Sequence, residues 1–149
     1  MVRVIGCGNP DAGDDAAGLI VAEEIRARAP SGVEVVRARD PLRVLDLLDD
    51  VERAIVVDAM RSAPGARAPG TLVRIEVGPD GSPAELRSSL SSHGLGLAGS
   101  IGLAAAVGDL PPIVFHGVEA GAVAAGSEMS VAVRAALPAL IDAVLADVV

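Results

Sequence analysis

The sequence predicts an α/β domain, a mostly parallel sheet with helices on both faces. Three observations carry this. Strand-like and helix-like segments alternate along the chain. The third strand-like run, Ala54–Asp58, is apolar up to its last residue, as expected of a strand covered on both faces. At 149 residues the chain has the length of a single domain, 1–149, able to bury a core without disulfides or metal.

The elements follow in order. Val2–Gly6 reads as a buried strand. Asp14–Ala29 reads as a helix with Leu19, Ala22, Ile25 and Ala29 on one face, ended by Pro30-Ser31-Gly32. Val33–Ala38 is a second strand. Pro41–Asp50 is a short helix that aligns Leu42, Leu45 and Leu48. After the third strand, Ala63–Gly70 is a Pro/Gly loop. Thr71–Val77 alternates Leu72, Arg74 and Glu76 against Val73, Ile75 and Val77, the pattern of an edge strand with one solvated face. Ser92–Val107 is a helix of small residues, Ile113–Val118 a last buried strand and Val131–Val149 a last helix. Right-handed crossovers place strands 1, 2 and 3 in the order 2-1-3. That order opens a crevice between the carboxyl ends of strands 1 and 3.

Composition excludes several functions. Aromatics are 1% of residues, Phe115 alone, so no stacking platform for single-stranded nucleic acid exists. A net charge of −8 argues against nucleic acid and against anionic membrane surfaces. All 12 basic residues are arginine, which removes Schiff-base chemistry and a P-loop lysine. Cys7, the single cysteine, can form neither an internal disulfide nor a thiolate zinc cage, in keeping with a reducing compartment. No export signal is expected, because Met1-Val2-Arg3-Val4 runs directly into a strand. The longest stretch free of Arg, Asp and Glu, Ser88–Gly108, is too rich in serine and glycine for a membrane span.

Strand 1 ends in Gly6-Cys7-Gly8-Asn9-Pro10-Asp11-Ala12-Gly13-Asp14-Asp15. A dinucleotide fingerprint fails here, since Asp11 stands where the third glycine belongs and would face the pyrophosphate. The segment reads instead as a Gly-rich turn with acids at a helix start. Asp11 or Asp14 serves as the N-cap, and another acid is free to enter the crevice. Asp58 closes strand 3 beside strand 1, as a turn acid or a functional carboxylate. His93 precedes the small-residue helix, as a surface residue or a metal ligand. His116 reads as a turn histidine or one supporting a ligand. Cys7 reads as a small buried thiol. Together Asp15, Asp58 and His93 offer two carboxylates and one imidazole, a set suited to a divalent cation with open positions, such as zinc, nickel, manganese or cadmium.

Gly6-x-Gly8-Asn9-x-x-x-x-Asp14-Asp15-x-x-Gly18 resembles the N-terminal signature of the nickel–iron hydrogenase maturation endopeptidases. Val57-Asp58-Ala59 with Ala68-Pro69-Gly70-Thr71 resembles their second signature, and Ser92-His93-x-Leu95-Gly96-Leu97 their third. The chain departs from relatives at Asp15, where some carry Glu, and at Ala120, where proline is common. The resemblance implies a three-layer α/β/α sandwich of phosphorylase/hydrolase-like type, with a mixed five-stranded sheet of order 2-1-3-5-4 and strand 4 antiparallel. It implies a peptidase that removes the C-terminal extension of a hydrogenase large-subunit precursor after nickel insertion. The metal-binding and catalytic positions then fall on Asp15, Asp58 and His93. The nickel is carried by the substrate, although zinc or cadmium could occupy the same groups. The accompanying expectations are a cytoplasmic monomer whose partner is the precursor. A non-catalytic metal- or ligand-binding module on the same fold is the alternative, and a nucleotide-binding protein a third.

Overall fold

The structure is a computed structural model and describes residues 1–40, 42–62, 65–77, 108 and 110–149. Its strands are β1 (Val2–Cys7), β2 (Val33–Ala38), β3 (Arg53–Met60), β4 (Leu72–Val77) and β5 (Ile113–Glu119). They form one sheet in the order β2-β1-β3-β5-β4. Every neighbouring pair is parallel except β4 with β5, which is antiparallel. The described helices are α1 (Ala17–Arg28), α2 (Arg43–Leu47) and α3 (Val131–Val148). The order, the mixed sense and the edge position of β4 agree with expectation. The small-residue helix expected over Ser92–Val107 lies outside the described residues.

The sheet separates two apolar cores. On one face Ile5, Val56, Phe115 and Ile75 pack with Val44 of α2 and with Leu48 just after it. On the other, Val4, Ile55, Val57 and Val118 pack with Val21 and Ile25 of α1 and with Leu140 and Val144 of α3. This is the period-2 alternation of strands written twice, once per face. It explains why the runs Ala54–Val57 of β3 and Ile113–Phe115 of β5 are apolar on both faces. Among the described residues no helix is long and apolar enough to cross a membrane.

Two boundaries differ from the sequence reading. The helix expected from Asp14 begins as a separate 3₁₀ turn, Gly13–Ala16, and α1 proper starts at Ala17. Neither start carries a side-chain cap, so Asp11 and Asp14 are not N-caps as expected. Their polar groups are drawn to a distant loop instead. The second helix is also shorter than Pro41–Asp50, with regular turns only over Arg43–Leu47.

Gly18 fixes how closely α1 approaches the sheet. A Cβ there would fall on the carbonyl oxygens of Cys7 and Val57. Both are backbone atoms of central strands, so neither can yield. Gly18→Ala is therefore expected to lower stability by about 2–3 kcal/mol, as overpacking against a rigid wall does. Urea unfolding checks this, and a loss below about 1 kcal/mol would mean that α1 slides outward at little cost.

Candidate functional site

Three strands end together at one edge of the sheet, and the loops that leave them carry the polar residues. Gly8, with φ of 147°, turns the chain out of β1 at a point where a Cβ would strike the Asp15 carbonyl. The turn then doubles back so that the Asn9 N–H donates to Asp15 Oδ2 at 3.1 Å. Asp15 thus returns over the end of β1.

Asp58 approaches from β3. Ala54, Val56 and Met60 point into the α2-side core, so alternation puts Asp58 on that face too. Cys7 lies on the same face. The last paired positions of these strands are Gly6 and Val57, so Cys7 and Asp58 are cross-strand neighbours. Asp58 is 6% exposed. One oxygen accepts the Ala59 N–H at 2.8 Å, and the other has no hydrogen-bond partner among the described residues.

Burial first, and the Asp15 charge second, push the Asp58 carboxyl up to about 8, against the pull of the Ala59 N–H. The same burial, with the charges of Asp58 and Asp15, pushes the Cys7 thiol up. Cys7 is therefore a neutral thiol, which fits its reading as a packing residue. The two acids feel each other across the crevice, and an oxygen-preferring cation would relieve both. The half-bonded, buried Asp58 is the kind of donor such an ion needs. Among the described residues no three His, Cys, Asp or Glu side chains are gathered around one point. His93, the third expected group, lies outside them.

Sequence reasoning missed the residues that hold these loops. Asp14 is fully buried. It accepts from the N–H groups of Gly121 at 2.7 Å, Ala122 at 2.8 Å and Ser130 at 2.7 Å, and from the Ser130 hydroxyl at 2.8 Å. Burial alone would raise its carboxyl, but these donors together pull it below the usual range. The Asp14 N–H in turn reaches the Ala122 carbonyl at 2.6 Å. Glu119, 5% exposed, takes the Ser62 N–H at 3.0 Å and its hydroxyl at 2.6 Å. Arg67 donates to that hydroxyl at 2.6 Å. Asp14 binds the 3₁₀ turn to the loop after β5, and Glu119 binds the loop after β3 to the end of β5. Asp14 was visible as one of an adjacent acidic pair, but its partners lie more than a hundred residues away.

His116 is not in a turn. It sits within β5, 2% exposed, with Nε2 at 2.6 Å from Asp147 Oδ2. Arg74 of β4 grips the same carboxylate through Nε and Nη2, each at 2.9 Å. These hydrogen bonds from Arg74, against the effect of burial, hold Asp147 down to about 2, so the carboxylate is ionised and the ring supplies the proton. Burial lowers the His116 ring below its ordinary value, and the Asp147 contact only partly opposes this. The network ties the end of α3 to the sheet.

Known proteins align with this architecture. The hydrogenase maturation protease family model, HycI, matches residues 19–147. The hydrogenase maturating endopeptidase HybD of Escherichia coli superposes with a TM-score of 0.80 at 25% identity, over 98% of this chain and 90% of that one. A solution structure of an endopeptidase from Escherichia coli reaches 0.84 at 25% identity, over 97% and 90%. The hydrogenase 2 maturation peptidase of Thaumarchaeota archaeon SCGC_AB-539-E09 reaches 0.68 at 27% identity, over 98% and 96%. No curated protein sequence matches the chain. With a family match from Leu19 to Asp147 on the sheet order those endopeptidases share, the chain belongs to the hydrogenase maturation protease family.

Proposed function

We propose that this chain is the cytoplasmic endopeptidase that removes the C-terminal extension of a nickel–iron hydrogenase large-subunit precursor once nickel is in place, and that it senses the nickel carried by that substrate. The observation that carries the reading is the buried Asp58, half-bonded and raised by its burial and then by Asp15, at the joint end of β1 and β3. Asp15, Asp58 and His93 are the residues proposed to face the precursor's metal. A divalent ion bound there would polarise the scissile carbonyl or activate water. The two acids supply negative charge and, with His93, leave positions open for the substrate's own ligands. Without a cation Asp58 keeps its proton, so the empty site is poorly disposed to attack ordinary peptides. Asp58 would give up that proton where it held a cation.

Matched nickel-loaded and nickel-free precursor, followed by mass spectrometry, test this. The loaded precursor is expected to be cut once, and the nickel-free precursor and casein at least about tenfold more slowly, since a missing metal contact costs affinity and rate on that scale. Equal cleavage of loaded and unloaded precursor would overturn metal sensing. Loaded precursor left intact would overturn the endopeptidase assignment for this substrate and favour a non-catalytic binding module.

A further inference from the structure

A groove lies away from the acid pair. It has a volume of about 680 Å³ and runs between α1 and β2, with Pro10 at its upper end. Pro10 follows Asn9, whose N–H holds Asp15, so the groove opens onto the loop that frames the candidate site. Its apolar lining includes Leu19, Val36 and Ile20, and Ile20 is 39% exposed.

Among the described residues β2 is an edge strand and pairs only with β1. In a parallel strand alternate residues turn both backbone groups to the same side. The Ala38 carbonyl faces inward, where it accepts the Gly8 N–H at 3.1 Å. The Val35 carbonyl faces outward, where Arg26 Nη2 reaches it at 3.1 Å. Val33 and Arg37 share that outward sense. Apart from the Arg26 contact, no described residue bonds this edge.

The charge lining the groove is the reverse of the molecule's. The chain carries −8 overall, yet Arg26, Arg37 and Arg39 line the groove against Glu23 alone. Glu23 is shared between Arg26 at 2.8 Å and Arg37 at 3.2 Å. Arg39 has no acidic partner among the described residues. A second copy of this chain would bring arginine against arginine, so the edge disfavours self-pairing.

We propose that the outer edge of β2 docks an extended acidic segment of the protein substrate as an added strand, leading its cleavage region toward the Asp15–Asp58 site. This rests on the endopeptidase reading and names the surface that selects the substrate. The incoming backbone takes the outward N–H and C=O groups, which give affinity without sequence preference. Its carboxylates take Arg37 and Arg39 and draw Arg26 off the Val35 carbonyl. Its apolar side chains cover Ile20 and Val36.

The test pairs kinetics with hydrogen exchange, using nickel-loaded precursor. For the double variant Arg37→Glu/Arg39→Glu, KM is expected to rise at least about tenfold at low salt, with kcat within about twofold. Arg28→Glu, at the far end of α1 and outside the groove, is expected to change KM by less than about twofold. Precursor should slow exchange at the outward amides of Val35 and Arg37 in the native chain and not in the double variant. An unchanged KM in the double variant, or unprotected β2 amides on a bound precursor, would overturn docking while leaving the protease reading intact. If precursor protects those amides and is never cut, docking stands and the protease reading falls. A dimer by sedimentation that protects the same amides without precursor would overturn the acidic-segment assignment in favour of a second copy.

Discussion

Replacing Asp58 by asparagine is expected to abolish precursor cleavage while making the metal-free protein more stable. The side chain keeps its shape and its acceptor for the Ala59 N–H, so folding loses little. Cleavage should drop by about 10³-fold or more, the scale on which removal of a central catalytic group acts. The stability gain has a defined pH dependence. The folded carboxyl titrates near 8, whereas an unfolded one titrates near 3.9. Between those values the folded state holds a proton that the unfolded state has released. Stability of the native chain therefore falls as pH rises from about 4 to about 8, by at most about 1.4 kcal/mol per unit, and levels off beyond. The asparagine variant lacks this slope. Denaturant unfolding in the presence of a chelator should show the two proteins alike at pH 4 and the variant ahead by a few kcal/mol at pH 8. Parallel stability curves across that range would show that Asp58 ionises freely in the fold. Full activity in the variant would remove Asp58 from the site.

The largest loss of stability is expected at Asp14. Alanine there leaves four donors facing a void, three of them backbone N–H groups. Unsatisfied buried donors cost about 1–3 kcal/mol each, and partial hydration of the loop reduces the sum, so a net loss of about 3–5 kcal/mol is expected. Asparagine should rescue part of the loss, because its amide oxygen can replace Oδ2 for Gly121, Ala122 and the Ser130 hydroxyl while its NH2 group faces the Ser130 N–H, itself a donor. The native contribution has the opposite sign of pH dependence to Asp58. The folded Asp14 carboxyl lies below its usual value, so its stabilisation is complete above about pH 4 and is lost as pH falls toward the folded value. Urea unfolding of the native chain and Asp14→Ala, with hydrogen exchange over residues 121–130, checks both points. A loss under about 1 kcal/mol, or a loop that stays protected, would show that Asp14 is not what holds it.

Most of the sheet was legible because its signals are local. An unbroken apolar run such as Ala54–Val57 has to be covered on both faces, and strict alternation over Leu72–Val77 has to leave one face wet. Both follow from the two-residue repeat of a strand and need no knowledge of neighbours. The acid pair was legible for a related reason. Carboxylates placed where apolar strands end sit at the mouth of the crevice in any fold of this class.

What was not legible is set by partners distant in sequence. The 3₁₀ break before Ala17 carries no proline and no side-chain cap. Its cause is the capture of Asp14 by Gly121, Ala122 and Ser130. The same holds for His116, whose place depends on Asp147 and Arg74, separated from each other by 73 residues. Composition can flag a histidine or an acid as unusual, but only the assembled sheet shows which groups each one meets.

The Asp14 clasp also orders events during synthesis. Chains emerge N-terminus first at about 5–20 residues per second. The residues of the first turn, Asp14 and Asp15, are made early, but the donors that fix this turn belong to residues 121–130. A ribosome that has completed β1, α1, β2 and β3 therefore carries Asp15 on an unanchored turn. The contact spans 107 to 116 residues, so its loop-closure entropy is offset only when β5 and the start of α3 arrive with their own burial. Asp15, the neighbour of Asp14 on that turn, therefore takes its place over the end of β1 among the last events of folding.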